Sequence, residues 1–333
     1  MVKIGVIGAG GIANGIHLPA LKEIRNCEVA AVCDLRVERA RATAEKFNIP
    51  AHYALSHEMI KNENLDGVVC LVEPDRMYRV AYECLDAGLP VLMEKPPGLD
   101  AYQARSLARK AKKENLCAAV AMNRRHVPVV QRAIKRVREL TVVNQVDGVF
   151  IKNGAIDETW HYASAFVCDI VHAVDLMRYM AGSEPVKAAT VIAMIDSPVD
   201  NAWSSVMRFG NGVTGTLKSN YKTGGRVHSF EMHGPGASAF INLGFGDQSC
   251  DAKIIHSGGG MYSMSSGGVG EQHVEYIDGV AEAGGNKYYQ YYGYKQEDAE
   301  FIECIATGRK PLCDIEDAVK TMEAVELLLN SAL

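Results

Sequence analysis

The 333-residue sequence lacks the features that mark several large classes of protein. No stretch approaches the ~20 consecutive apolar residues of a membrane-spanning helix, so no membrane role is expected. The opening Met1-Val2-Lys3-Ile4 runs straight into a strand pattern without the layout of a signal peptide. The nine cysteines are scattered and none forms a Cys-x-x-Cys pair, which argues against a disulfide framework and reads as a reducing, cytoplasmic setting. His57-Glu58 has no second histidine at helical spacing, and no other run has metal-ligand spacing, so no metal is expected. A net charge of −5 leaves no basic footprint for nucleic acid, and a small molecule becomes the default partner. What is present is ordinary for a globular protein: 48% hydrophobic and 23% charged residues. The length suits about two domains at roughly 150 residues each.

The chain divides by pattern. In its first part, short apolar runs at 2–7, 29–33, 67–71, 91–93 and 117–121 alternate with helical patterns at 37–47, 76–87 and 101–114. Apolar strands alternating with helices imply an α/β fold, a doubly wound parallel sheet covered on both faces. Beyond it come helices expected at 129–140 and 166–181 and a strand near 146–151. Strand-like runs follow at 188–194, 204–209, 213–220, 228–233 and 237–243. Gly210-Asn211-Gly212 between two of these runs is a hairpin signal. Strands in succession imply an α+β second domain on a large, mainly antiparallel sheet, with a Gly- and Ser-rich loop at 257–270. The expected domains are 1–122, a Rossmann dinucleotide-binding domain, and 123–333, a substrate and oligomerisation domain. A last helix at 315–329 would pack back toward the first. The broad sheet would serve a homodimer or homotetramer.

The strongest local signal is a strand followed by Gly8-Ala9-Gly10-Gly11-Ile12-Ala13. In Gly-x-Gly-x-x-Ala the first glycine makes a tight turn and the second lets the backbone approach a pyrophosphate. The small third position lets helix and strand pack closely, and the helix N-terminus presents free N–H groups to phosphate. Asp34 ends the next strand about 20 residues further on, where a carboxylate binds ribose hydroxyls. Asp34 favours NAD over NADP, and Arg36 close by could accommodate the extra phosphate of NADP. His17, just past the loop and before Pro19, is a candidate to face the cofactor.

The tripeptide Glu94-Lys95-Pro96 follows the strand at 91–93. With the preceding Asp66-Gly-Val-Val-Cys-Leu71 and Leu85-Asp-Ala87-Gly88-Leu-Pro-Val91 it resembles the signature of the Gfo/Idh/MocA family of oxidoreductases. Asn123-Arg124-Arg125-His126-Val-Pro128 is similar to that family's domain-crossing segment. His172-Ala-Val-Asp175-Leu-Met-Arg-Tyr-Met-Ala-Gly182 is similar to its catalytic helix, and Phe301-Ile with Gly308-Arg-Lys-Pro311 to its ending. The resemblance implies an NAD(P)-dependent enzyme moving hydride between the cofactor and a hydroxyl or carbonyl carbon of a sugar, inositol or related polyol. It departs from the family in four places, one being Ala163-Ser164-Ala165 where the family has a Gly-rich approach to the catalytic helix. Cys168 stands four residues before His172 where the family has aspartate, with Asp169 one position later. Val72-Glu73-Pro74 replaces Thr-Pro-Asn, and Met77 replaces a histidine.

Oxidation of an alcohol needs a base for the hydroxyl proton and a positive group for the developing alkoxide. Lys95 lies just past a strand's carboxyl end, where open α/β sheets bind ligands, and Pro96 restricts its backbone. A positive nicotinamide nearby would lower its pKa. His172 sits in an apolar helical pattern between Asp169 and Asp175, either of which could orient the ring. The expected catalytic residues are therefore Lys95, His172 and Asp169. The cofactor set is Gly8, Gly10, Gly11, Ile12, Ala13, Asp34, Arg36, Leu71, Glu94 and Lys95. Substrate candidates are Lys95, Asn123, Arg124, Trp160, His161, Asp169 and His172. The aromatic run 287–294 would line a pocket or a subunit interface. Two rival functions remain open: an NAD-dependent glycoside-cleaving enzyme that oxidises its sugar transiently, and a non-enzymatic nicotinamide sensor.

Overall fold

The computed structural model describes residues 1–154, 164–257 and 272–333. The first elements are β1 (Val2–Ile7), α1 (Leu18–Lys22), β2 (Cys27–Cys33), α2 (Val37–Phe47), β3 (Ala51–Tyr53), α3 (Ser56–Asn62), β4 (Gly67–Cys70), α4 (Pro74–Asp86), β5 (Val91–Met93), α5 (Ala101–Glu114) and β6 (Ala118–Val120). The six strands form one parallel sheet in the order β3-β2-β1-β4-β5-β6. The order reverses direction between β1 and β4, which places the ligand crevice of a doubly wound sheet at the carboxyl ends of those strands. β4, β5 and β6 are buried throughout, as strands covered on both faces must be. β3 and α3 had no counterpart in the sequence reading. Three residues, Ala51-His-Tyr53, are too few to show a period.

The second run of elements is α6 (Pro128–Leu140), β7 (Gln145–Asn153), α7 (Val171–Ala181), β8 (Pro185–Ala193), β9 (Ala202–Phe209), β10 (Thr214–Asn220), β11 (Lys222–Gly234), β12 (Ala237–Asn242), β13 (Asp251–Ser257), β14 (Gln272–Asp278) and α8 (Gly279–Ala283). The eight strands make one sheet, β14-β13-β12-β11-β7-β10-β9-β8. It is antiparallel except for the pair of β7 with β10. The hairpin at 210–212 joins β9 to β10, with Gly212 at φ 90°. β9 alternates buried and exposed side chains, the pattern of a sheet with one covered face. The helix α7 is buried nearly all round and is entered through a π turn, Phe166–Ile170.

The chain ends with α9 (Tyr288–Tyr291), α10 (Tyr294–Thr307) and α11 (Ile315–Asn330). The backbone divides into two compact units. One is Met1–Asn123 with Val167–Asp169 and Lys287–Glu323, and the other is Arg124–Phe166 with Ile170–Asn286 and Ala324–Leu333. A single cut after residue 122 therefore does not describe the chain. The reason is apolar burial. Phe301 and Ile302 of α10 lie in the same core as Ile4, Val6, Val32 and Leu92, and Val120 donates its N–H to the Cys313 carbonyl. The aromatic run 287–294 is largely internal to this first unit. Tyr289, Tyr292 and Tyr294 are buried, and Tyr288 stacks on Tyr292 with ring centroids 4.6 Å apart. Of the loop expected at 257–270, Ser257 closes β13 and the rest lies outside the described residues.

Candidate functional site

The glycine loop is built as its residue types demand. Gly8 adopts φ 101°, and a Cβ there would stand 2.3 Å from the Leu71 carbonyl oxygen, so only glycine fits. A Cβ on Gly10 or Gly11 would meet nothing within 4 Å. The loop mouth is thus open backbone, the surface a pyrophosphate needs. Ala13 is fully buried and starts a π turn, Ala13–His17, that leads into α1. Asp34 closes the far side. Its carboxylate accepts the Ala9 N–H at 3.0 Å and the Arg36 N–H at 2.9 Å, and Arg39 stands 3.8 Å away. The side chain of Arg36 is exposed. These residues fit a dinucleotide.

Sequence reasoning missed Asn14. Its amide donates to the carbonyls of Ala9 and Gly10 at 2.9 and 3.1 Å and meets the Thr43 hydroxyl of α2 at 3.1 Å. These bonds brace the Ala9 and Gly10 carbonyls of the loop against α2. At about 1 kcal/mol per such bond, Asn14→Ala is expected to raise the Kd for NADH about tenfold. An unchanged Kd in a fluorescence titration would reject the brace.

Lys95 follows β5. Its ammonium donates to the Cys168 carbonyl at 2.6 Å, and the Lys95–Pro96 peptide is cis. The Cys168 thiol is pushed up to about 11 by burial, against the pull of the Lys95 charge, so it is no thiolate. Cys168 and Asp169 both lie in the π turn ahead of α7. A π turn closes on the fifth residue rather than the fourth, so offsets of three and four residues cannot be compared there as on a regular helix. Glu94 turns inward. One oxygen accepts the Lys95 N–H at 3.0 Å and the other lies 3.3 Å from His17 Nε2. Leu71 is buried and pairs with β1 through its N–H to the Ile7 carbonyl. Asn123, a substrate candidate, donates its amide to the Tyr292 carbonyl at 2.8 Å.

In the second unit His172 is buried at the start of α7, and its Nε2 lies 3.2 Å from Arg124 Nη1. A guanidinium only donates, so Nε2 accepts and carries a lone pair. The sequence reading had Arg124 as a substrate contact and did not foresee this bond. Asp175 was expected to flank the histidine. Its carboxylate is held by Arg125 in a bidentate pair at 2.7 and 2.6 Å. Trp160 and His161 lie outside the described residues. On the sheet, His233 Nε2 sits 3.1 Å from Glu231 and 3.8 Å from Asp147, so one imidazole serves two facing carboxylates. The i, i+2 spacing on β11 sets Glu231 and His233 on one face, and pairing with β7 brings Asp147 opposite.

A parallel sheet with this strand order, an open glycine loop and a carboxylate at the end of β2 define a dinucleotide-binding module of the oxidoreductase kind. Residues 2–122 match the family model described as "Oxidoreductase family, NAD-binding Rossmann fold", and residues 134–240 match the "GFO/IDH/MocA C-terminal domain". The chain belongs to the Gfo/Idh/MocA family and is an NAD(P)-dependent oxidoreductase. It is 26% identical over 234 residues to a myo-inositol 2-dehydrogenase of Thermotoga maritima, covering 66% of this chain and 68% of that one. It is 24% identical over 339 residues to a D-xylose 1-dehydrogenase (NADP(+)) of Haloferax volcanii, covering 99% and 97%. The solved structure of levoglucosan dehydrogenase in complex with NADH superposes with a TM-score of 0.86 at 18% identity, covering 99% of this chain and 96% of that one. At that identity the likeness concerns the fold. No helix among the described residues is long and apolar enough to cross a membrane.

Proposed function

We propose that this oxidoreductase interconverts a secondary alcohol and a carbonyl on a sugar, an inositol or a related polyol, with Lys95 and His172 as its catalytic residues. The bound nicotinamide supplies the hydride acceptor or donor. Lys95 supplies a fixed positive charge, and its bond to the Cys168 carbonyl at the carboxyl end of β5 is the observation that carries the reading. An ammonium held by one neutral acceptor keeps two further N–H donors. Those are what a developing alkoxide calls for. His172 supplies the base. Its Nε2 accepts from Arg124, so that nitrogen carries no proton; once a substrate hydroxyl displaces the Arg124 donor, the same lone pair takes up the hydroxyl proton and returns it in the reverse direction. Asp169 completes the catalytic set, with Arg124 at the substrate.

The names of the relatives support a polyhydroxylated substrate, since they act on myo-inositol and D-xylose. NAD is the proposed cofactor, because the Asp34 carboxylate would oppose the additional phosphate of NADP. Assembly through the open face of the eight-stranded sheet, where Val191, Val206 and Tyr276 are exposed, belongs to the same reading. The test is a panel of sugars, inositols and glycosides with NAD or NADP, followed by absorbance of the reduced cofactor. Net accumulation of NADH with a free sugar or inositol is the expected result. Release of a leaving group from a glycoside without net NADH would replace the dehydrogenase by the glycoside-cleaving alternative.

A further inference from the structure

Behind the glycine loop lies a group of charges that the proposed reaction does not use. His17 ends the π turn that starts at Ala13 and is completely buried. Its Nδ1 lies 2.9 Å from Asp298 Oδ1, on α10, and its Nε2 lies 3.3 Å from Glu94 Oε1. The second Glu94 oxygen accepts the backbone N–H of Lys95. The edge of the ring meets Tyr294, with centroids 5.8 Å apart. So the expectation that His17 faces the cofactor gives way to a different placement, in which it joins the phosphate-loop turn, α10 and the Glu94-Lys95 turn within one unit.

We infer that His17 is a positioning residue for Lys95: gripped by Asp298, it holds Glu94, and Glu94 holds the backbone from which the Lys95 ammonium reaches. The inference rests on the reading of Lys95 as a catalytic residue. A neutral imidazole has a single N–H, yet both ring nitrogens here face carboxylates. With both carboxylates ionised, both bonds exist together only when the ring is an imidazolium. The surroundings favour that state. Burial opposes charge on His17, but the charge and hydrogen bond of Asp298, with those of Glu94, outweigh it and raise its pKa well above the usual value. Burial also acts on Glu94, where the bond and charge of His17 and the charge of Lys95 prevail and hold its carboxyl low. At Asp298 burial prevails over His17 and the carboxyl stays above its usual range, so the pair keeps a proton between its members. The groups facing His17 are thus Asp298 and Tyr294 from α10 and Glu94 after β5. Lys95 acts through Glu94, and Cys27 at the start of β2 feels Asp298.

The sign follows from a folded pKa that is raised. The grip is complete below the ordinary histidine pKa of about 6.5 and is lost as pH rises through the raised value. The shorter bond to Asp298 is the one kept, so Glu94 is released first. Three variants of the full chain test this, assayed with NAD and the panel sugar or inositol that is turned over. His17→Leu is expected to lower kcat about tenfold or more while the KM for NAD stays within about threefold. His17→Gln, whose amide donates to Glu94 at any pH, should recover most of that loss and remove the alkaline fall in kcat. Asp298→Asn should move the alkaline fall down by about one pH unit or more.

A readout independent of turnover accompanies these. The ¹⁵N ring shifts of His17, assigned by their absence from His17→Gln, should report both nitrogens protonated at pH 8. A ring that titrates near 6.5, or Leu and Gln variants with the same kcat and the same pH profile, would overturn the inference. Lys95→Met separates the two levels. If it retains wild-type turnover, the reading of Lys95 fails. If it is slow while all His17 variants match the wild type, only the positioning role fails.

Discussion

Lys95→Met lowers turnover by at least about 10²-fold and leaves the Kd for NADH within a small factor of the wild type; that is the expected result of the most direct test of the site. Methionine keeps most of the length and apolar volume of the lysine stem and removes only the ammonium. The contact to the Cys168 carbonyl is lost, but the glycine loop, the Asn14 brace and the Asp34 carboxylate stay in place, since none of them touches Lys95. Binding and chemistry therefore separate. A loss confined to kcat, with kcat/KM falling in proportion, marks an interaction made in the transition state. His172→Ala is expected to lose a similar factor for a different reason, the absence of a proton acceptor. It should regain rate with added imidazole where Lys95→Met does not. Equal rescue of both variants, or wild-type turnover in either, would remove the proposed division of labour.

The glycine turn was legible in the sequence because it answers to a local backbone requirement. Gly8 must be glycine on account of its own φ and the Leu71 carbonyl beside it, and that constraint is written in the adjacent strand and turn. The same is true of the alternating strands β9 to β12. What could not be read is what long-range contact decides. His17 and Asp298 stand 281 positions apart, and nothing near either residue announces the other. The bidentate hold of Arg125 on Asp175 spans 50 positions and had no signal in the helical spacing. The assignment of Lys287–Glu323 to the first unit depends on the burial of Phe301 and Ile302, which a helical pattern in α10 does not direct to one sheet rather than another. β13 carries an alternating pattern of burial, but the strand-like runs read from the sequence ended at 243 and none was expected there.

Asp175→Ala is expected to destabilise the second unit strongly. Arg125 and Asp175 are both buried and share two parallel hydrogen bonds, at 2.7 and 2.6 Å. Arg125 also lies over the Tyr179 ring, 5.2 Å from its centroid, so this guanidinium joins the Arg124–His172 bond in fastening the segment entering α6 to α7. Removing the carboxylate takes away both of these buried hydrogen bonds and the negative charge that makes them, a loss of about 3–5 kcal/mol. The pair itself is worth far less than that figure, because both charges had to leave water to form it. An apolar replacement of both partners, Arg125→Met with Asp175→Leu, should accordingly recover a large part of the stability that either single change loses. Urea unfolding followed by tryptophan fluorescence reads the outcome, since Trp203 is buried against Phe166 in the same unit, ring centroids 5.5 Å apart. A single variant within about 1 kcal/mol of the wild type would show that the ion pair behaves as if exposed. A double variant less stable than both singles would show that the charges contribute net stability, and the fastening of α6 to α7 would then be electrostatic.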